Sequence, residues 1–248
     1  MPACAQRPLD TQKVSVADQP SAAKNPTFLF RSISVSEEWD QLTDSNTLTT
    51  TLGYVEPFRN ASTALGFSVP FAKKTTSPTG PTDLTLGDMT FKGQWIPFET
   101  QRNGVLTTAT LTAPTGDNSV GSGRWSWTPS IAGAHFWGPR FLLAQFVQQQ
   151  VSFAGRASRA HIKRTDLDLY GVYSSHSLRW WINGDLNVRI DESHRNQTSS
   201  TFTIGYGKGL HKIMGGTLNG AVQTGLGMGR GRPYNDMLLI SISLVDFH

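Results

Sequence analysis

The sequence has no run of about 18 consecutive apolar residues, which excludes a membrane-crossing helix. It leaves membrane-crossing strands open, because these alternate apolar and polar residues rather than running apolar throughout. Charge is also scarce, at 16% of residues, where a soluble protein carries roughly a quarter. The net charge is only +4, and no Lys/Arg cluster is interleaved with a nucleic-acid module, so nucleic acid is not an expected partner. Apolar residues spaced by three and four are missing, so little helix is expected. Without a helix after them, the glycine runs Gly205-Tyr-Gly207-Lys-Gly209 and Gly225-Leu-Gly227-Met-Gly229-Arg-Gly231 do not make a nucleotide-binding fingerprint. Glycines at every second position instead bare one face of a strand, leaving room for a bulky neighbour or a solute.

What is present is a mixture of seven Trp, thirteen Phe and twenty-four Gly with abundant Thr and Ser. It suits many short strands joined by turns, and interfacial aromatic girdles would account for the Trp and Phe. Residues 177–190 read SLRWWINGDLNVRI. Leu178, Trp180, Ile182, Leu186, Val188 and Ile190 share one parity, and Arg179, Trp181, Asn183, Asp185, Asn187 and Arg189 the other. A strand sends successive side chains to opposite faces, so this one has an apolar face and a charged face. In a soluble sandwich these meet core and water; in an outer-membrane barrel they meet lipid and lumen.

The only cysteine is Cys4, inside Ala3-Cys4-Ala5, a small-x-small pattern of the kind signal peptidase cleaves. Residues 1–5 are read as the remnant of a signal peptide entered at an internal Met, with maturation after Ala5 removing the cysteine. Residues 6–26 are polar, hold three prolines and show no periodicity, and are expected to be a disordered leader or a lumen plug. The remainder, 27–248, reads as one array of strands at 27–36, 47–55, 61–71, 84–98, 104–114, 125–137, 141–153, 165–173, 177–190, 200–210, 216–226 and 236–247.

The connections between them alternate. EPFRN, QRNG, GPR, SSHS and HKIMG are short; EEWDQLTDSN, AKKTTSPTGPTD, GDNSVGSGR, GRASRAHIKR, DESHRNQTS and GMGRGRPYN are longer and polar. Greek-key sandwiches scatter long connections irregularly. An up-and-down transmembrane barrel alternates short periplasmic turns with long external loops. The expected fold is therefore all-β, an antiparallel up-and-down β-barrel of about 12 strands in a bacterial outer membrane. The last strand, MLLISISLVDFH, carries Phe247 beside its end. Such a terminal aromatic resembles the signal that the barrel assembly machinery reads.

Parity then assigns the candidate lumen residues. Charge on the lipid face costs about 2–4 kcal/mol for Arg near mid-membrane. Asp166 and Asp168 on TDLDLYGVY, with Arg179, Asn183, Asp185, Asn187 and Arg189 on the next strand, are therefore expected to line a pore, while Leu167, Leu169 and Trp180 face lipid. Opposite signs on the two strands are placed to pair, either as pore lining or as staples across a plugged barrel. Arg156, Arg159, Lys163, Arg164, Arg230 and Arg232, in the long loops 154–164 and 227–235, would suit lipopolysaccharide phosphates; ordinary loop solubility explains them equally.

Residues 104–130, GVLTTATLTAPTGDNSVGSGRWSWTPS, run an alternating strand into Pro-Thr-Gly-Asp and a glycine-punctuated loop, and DLTLGDMTFKGQWIPF (83–98) precedes it with Leu-Gly-Asp. This stretch resembles the outer-membrane transporters named for the meta-pathway of phenol degradation. The resemblance implies a barrel that moves small, often aromatic or hydrophobic, compounds, with no catalytic residues to carry over. Passage or binding of a small-molecule solute is thus expected, with membrane lipid as the surroundings and no cofactor or metal. The alternatives are an outer-membrane lipid hydrolase, a closed structural barrel, and a secreted sandwich. For hydrolysis, His176 and Ser177 are adjacent and would point to opposite faces of a strand. Asp191, Glu192 and His194 form a small acidic group that reads as a solvated loop sooner than as a cation site.

Overall fold

A computed structural model describes residues 29–58, 61–76, 80–81, 83–177 and 179–247. The expected signal-peptide remnant and the leader lie outside these residues, as do Leu178 and Asn60. The strands are β1 (Ser32–Gln41), β2 (Ser45–Phe58), β3 (Thr63–Thr76), β4 (Gly80–Pro81), β5 (Thr85–Leu86), β6 (Met89–Glu99) and β7 (Asn103–Ala113). They continue as β8 (Arg124–Trp137), β9 (Phe141–Gly155), β10 (Lys163–Ser174), β11 (Trp180–Asp191), β12 (Gln197–Ile213), β13 (Gly216–Gly229) and β14 (Asp236–Val245). β4 and β5 are two-residue strands that lie against β3 within one long connection.

The long strands close into a ring. Each pairs antiparallel with its neighbour in sequence, β3 pairs with β6 across the short strands, and β14 returns to β1. The result is a closed twelve-stranded up-and-down barrel in which each long strand has a neighbour on both sides, as hydrocarbon surroundings require. The strand ends joined by short connections, β2 to β3, β6 to β7, β8 to β9, β10 to β11 and β12 to β13, gather at one end with both ends of the barrel chain. Long connections at 77–88, 114–123, 156–162 and 230–235 gather at the other, with 192–196 and the brief 42–44. The tightest turn, Met214-Gly215, has φ of 52° and 77°, the double left-handed signature of a type I′ hairpin.

Alternation sorts the side chains. Leu52, Leu65, Ile131, Val147, Leu167, Ile182, Ile204 and Ile240 form an exposed apolar belt outside. Two rings of aromatics bound it. Near the loop end stand Trp39, Trp125 and Phe153; near the turn end stand Phe58, Phe98, Trp137 and Phe141. Ring contacts link the lower girdle, with Trp137–Phe141 centroids 5.5 Å apart and Trp180–Tyr206 centroids 6.3 Å apart. Arg140 lies 5.6 Å over Tyr173 there. At this end the outward-facing Glu56 accepts from Arg31 Nη2 at 2.6 Å and also from the Tyr54 hydroxyl. This is the outer surface of a protein that sits in a bilayer.

Some boundaries move. The first strand is expected at 27–36 and its loop at 37–46, but β1 runs to Gln41. Glu38 and Asp40 alternate with Trp39 on a strand whose even residues face inward, and the interior of a barrel tolerates charge that a soluble core would not. The strand expected at 84–98 starts only at Met89, because 84–88 belongs to the loop end. β11 begins at Trp180 rather than 177, because Ser175 Oγ accepts the N–H groups of Arg179 (3.1 Å) and Trp180 (3.3 Å) and holds a turn there. β6 breaks its register between Trp95 and Phe98, around Pro97, which has no N–H to give to the ladder.

Candidate functional site: the lumen and its loop-end clasp

The inward faces of β10 and β11 carry the charge. Asp166 stands directly opposite Arg189, Asp168 opposite Asn187, and Tyr170 opposite Asp185. Arg189 Nε donates to Asp166 Oδ1 at 2.6 Å, and Arg164 Nε lies 3.7 Å from Asp166 Oδ2. Asp166 is only 2% exposed and receives a further weak bond from Gln148 Nε2 at 3.4 Å. Asn187 Nδ2 donates to Asp168 Oδ1 at 2.5 Å. Asp166–Arg189 and Asp168–Asn187 thus form two adjacent pairs, and Asp185 and Asn183 continue the same inward row. Arg179 stands apart, exposed in the turn before β11, where its carbonyl accepts from Gly209 N–H at 2.9 Å.

The alternating glycines are sockets for bulky inward side chains. Trp181, 1% exposed, lies across β12 at Gly207, where a Cβ would fall within the indole. Asn183 Oδ1 would be 2.7 Å from a Cβ at Gly205. Gly225 makes room for Thr203 and for the Tyr234 hydroxyl, which would be 3.1 Å from a Cβ there, and Gly227 for the Tyr234 backbone carbonyl. Tyr234 therefore folds back from the 230–235 loop against the inner wall and is buried.

At the loop end the two sequence motifs interlock. Asp88 of Leu-Gly-Asp accepts Gly116 N–H at 2.9 Å on Oδ1, and Ser122 N–H (2.6 Å) and Oγ–H (2.5 Å) on Oδ2. Thr115 of Pro-Thr-Gly-Asp donates its hydroxyl to Gly87 O at 3.0 Å and accepts Met89 N–H at 2.9 Å. Asp117 N–H donates to Leu86 O at 3.0 Å. A Cβ at Gly116 would come within 2.7 Å of Gly121 Cα and 2.8 Å of Asp88 Oδ1, which is why glycine stands there. Arg124, buried below, donates Nε to the Arg159 carbonyl at 3.0 Å. Asn118 accepts from both Arg156 and Arg159. The Asp117 carboxyl is held below its ordinary range, first by the Ser119 N–H and hydroxyl and then by these two arginines.

The remaining candidates are engaged locally. Ser177 and His176 lie in the β10–β11 turn. Asp191 pairs with His194 at 2.8 Å, while Glu192 bonds Lys163 at 2.6 Å and Thr165 at 2.9 Å. Those bonds to its charged form keep the Glu192 carboxyl below its usual range. Arg232 is turned to Asn235 at 2.5 Å.

Below the charged wall lies a cavity of about 700 Å³ lined by hydroxyl, amide and apolar side chains from most of the ring. Ser34 and Ser36 on β1 stand opposite Ser243 and Ser241 on β14, and Thr108 Oγ1 meets Ser130 Oγ at 2.5 Å. Lys92 and Trp181 line it too; neither stands among the sequence-assigned lumen residues. Trp181 shares the parity of Asn183 and Asp185, so the signal for it is present. Lys92 also alternates correctly, with Phe91 outside, but a single lysine among threonines carries no pairing signal.

A closed barrel with an apolar outer belt between two aromatic rings, and with charges and hydroxyls inside, is an outer-membrane β-barrel. The chain belongs to the family described as "Putative MetA-pathway of phenol degradation", whose model matches residues 7–157. Among solved structures, the barrel is similar to the COG4313 outer membrane channel from Pseudomonas putida F1, at 14% identity and a TM-score of 0.74, covering 88% of this chain and 96% of that one. It is similar to a KdgM porin at 13% identity and a TM-score of 0.62, covering 88% and 99%. A NanC porin matches at 10% identity and 0.55, covering 86% and 98%. At these identities the likeness is one of fold. No curated protein matches the sequence.

Proposed function

We propose that the protein is a passive outer-membrane channel for small solutes. The observation that carries the reading is the cavity of about 700 Å³ enclosed by the ring and lined by Ser, Thr, Gln and Asn side chains beside apolar ones. Above that cavity Asp166, Asp168, Asn183, Asp185, Asn187 and Arg189 are proposed as the charged and amide lining of the pore, with Arg179 at the turn-end mouth. The family and the channel and porin neighbours support the same reading. The leader, residues 6–26, is proposed as a plug: Leu29, 4% exposed, already packs inside the barrel against Ala64, Ile96, Leu106 and Ala132. Lipopolysaccharide at the loop end and handling of the last strand by the assembly machinery belong to the same proposal.

The test is planar-bilayer recording of the purified barrel in KCl, with and without residues 6–26. Stepwise conductance that rises when the leader is removed is the expected result. A shortened, heat-modifiable barrel that passes no current would instead make this a closed structural barrel.

A further inference from the structure

We propose that Lys92 anchors a carboxylate site in the lumen cavity, and that the solutes it takes are small organic monocarboxylates. The inference rests on the channel reading and narrows its solute class. Lys92 lies on β6 directly opposite Thr110, with Gln94 opposite Thr108 in the next inward row. Of the described residues that line the cavity, Lys92 is the one that carries a charge. It forms no ion pair among the described residues. On the inner wall Asp166 is already matched by Arg189 and Arg164.

An ammonium that faces a confined lumen attracts an anion more strongly than one in bulk water, since fewer solvent dipoles screen it. Its neighbours Gln94, Thr108, Thr110 and Ser130 orient an anion by hydrogen bonds but do not neutralise the lysine. One cation suits one negative charge; a phosphate dianion is ordinarily met by several cations or a bidentate guanidinium. Leu106 and Phe146 line the same cavity and present apolar surface to the rest of the molecule. The geometry therefore favours a carboxylate carried on a compact apolar or ring-shaped body over a neutral or cationic analogue of the same size.

The experiment titrates the full-length, detergent-solubilised barrel calorimetrically with 4-hydroxybenzoate, and with 4-hydroxybenzyl alcohol as its uncharged counterpart. The acid is expected to bind about tenfold or more tighter than the alcohol. Lys92→Gln should erase that difference and Lys92→Arg should keep it, both variants giving the wild-type heat-modifiable band. Equal binding of acid and alcohol, binding of neither, or a preference that survives Lys92→Gln would overturn the site. Conductance in KCl is recorded on the same preparations. A barrel that conducts without preferring the acid loses this inference alone. One that binds the acid through Lys92 but does not conduct loses the channel reading instead.

Discussion

Gly207 and Trp181 divide one volume between them: the bare backbone of β12 at 207 is the floor on which the indole of β11 lies. Gly207→Val should expel the ring or force the strands apart. Overpacking of this kind costs about 1–3 kcal/mol, read as an earlier urea midpoint for loss of the heat-modifiable band. Trp181→Ala combined with Gly207→Val should recover part of the loss; a Gly207→Val barrel as stable as the wild type would show that the indole has another place to go.

The Arg189–Asp166 pair predicts a non-additive cycle. Arg189→Gln leaves an almost fully buried carboxylate with only the more distant Arg164, and breaking a buried pair costs about 3–5 kcal/mol; the Arg164 contact places the loss at the low end. Asp166→Asn together with Arg189→Gln should be much milder than Arg189→Gln alone. Simple additivity in equilibrium unfolding would mean that the two side chains do not depend on each other.

Parity on β14 predicts opposite outcomes for adjacent residues. Ile240 faces the belt and is 54% exposed to it, so Ile240→Arg should cost about 2–4 kcal/mol and reduce yield in the outer membrane. Ser241 faces the cavity, so Ser241→Arg should fold normally and lower single-channel conductance. Equal damage from both substitutions would refute the assignment of faces.

Asp88 gathers three donors from the 114–123 loop. Asp88→Ala should strand those donors and cost about 1–3 kcal/mol, with faster protease cleavage between Thr115 and Gly123 in the folded barrel as the direct readout. Cleavage at the wild-type rate would mean that the glycine contacts alone hold the clasp.

The clasp should also have an acid limit. The Asp117 carboxyl sits below its ordinary range because the Ser119 N–H and hydroxyl bond its charged form. A lowered value in the folded state contributes stability that is fully present above the unfolded value, about 4, and is lost as pH falls through the folded one. Hydrogen-exchange protection at Ser119 should therefore hold from neutrality down to about pH 4 and fall below it, while Asp117→Asn should start lower and respond less to acid. Protection that declines already near neutrality would point to a different titrating group.

Local alternation was sufficient for much of this protein. The parity of 163–174 and 180–191 separated Leu167, Leu169 and Ile182 from Asp166, Asp185 and Arg189, because a strand has only two faces and charge is costly on the lipid one. The rhythm of short and long connections set the up-and-down topology and the ring of about twelve strands, and the glycine runs at 205–209 and 225–231 marked a bared strand face with room for a bulky neighbour or a solute. Tertiary structure alone decided what that was. Trp181 is the neighbour of Gly207 through β-register, whereas Tyr234 reaches Gly225 from a loop whose path no periodicity encodes. It also decided that Glu38 and Asp40 belong to a strand, since in isolation their charge reads as a loop and only a closed ring supplies the interior that accepts them. Most of all it brought Leu-Gly-Asp and Pro-Thr-Gly-Asp together and left Lys92 without an ion-pair partner among the described residues, because both depend on contacts between strands and loops distant in sequence, and pattern along a chain carries no record of distance across it.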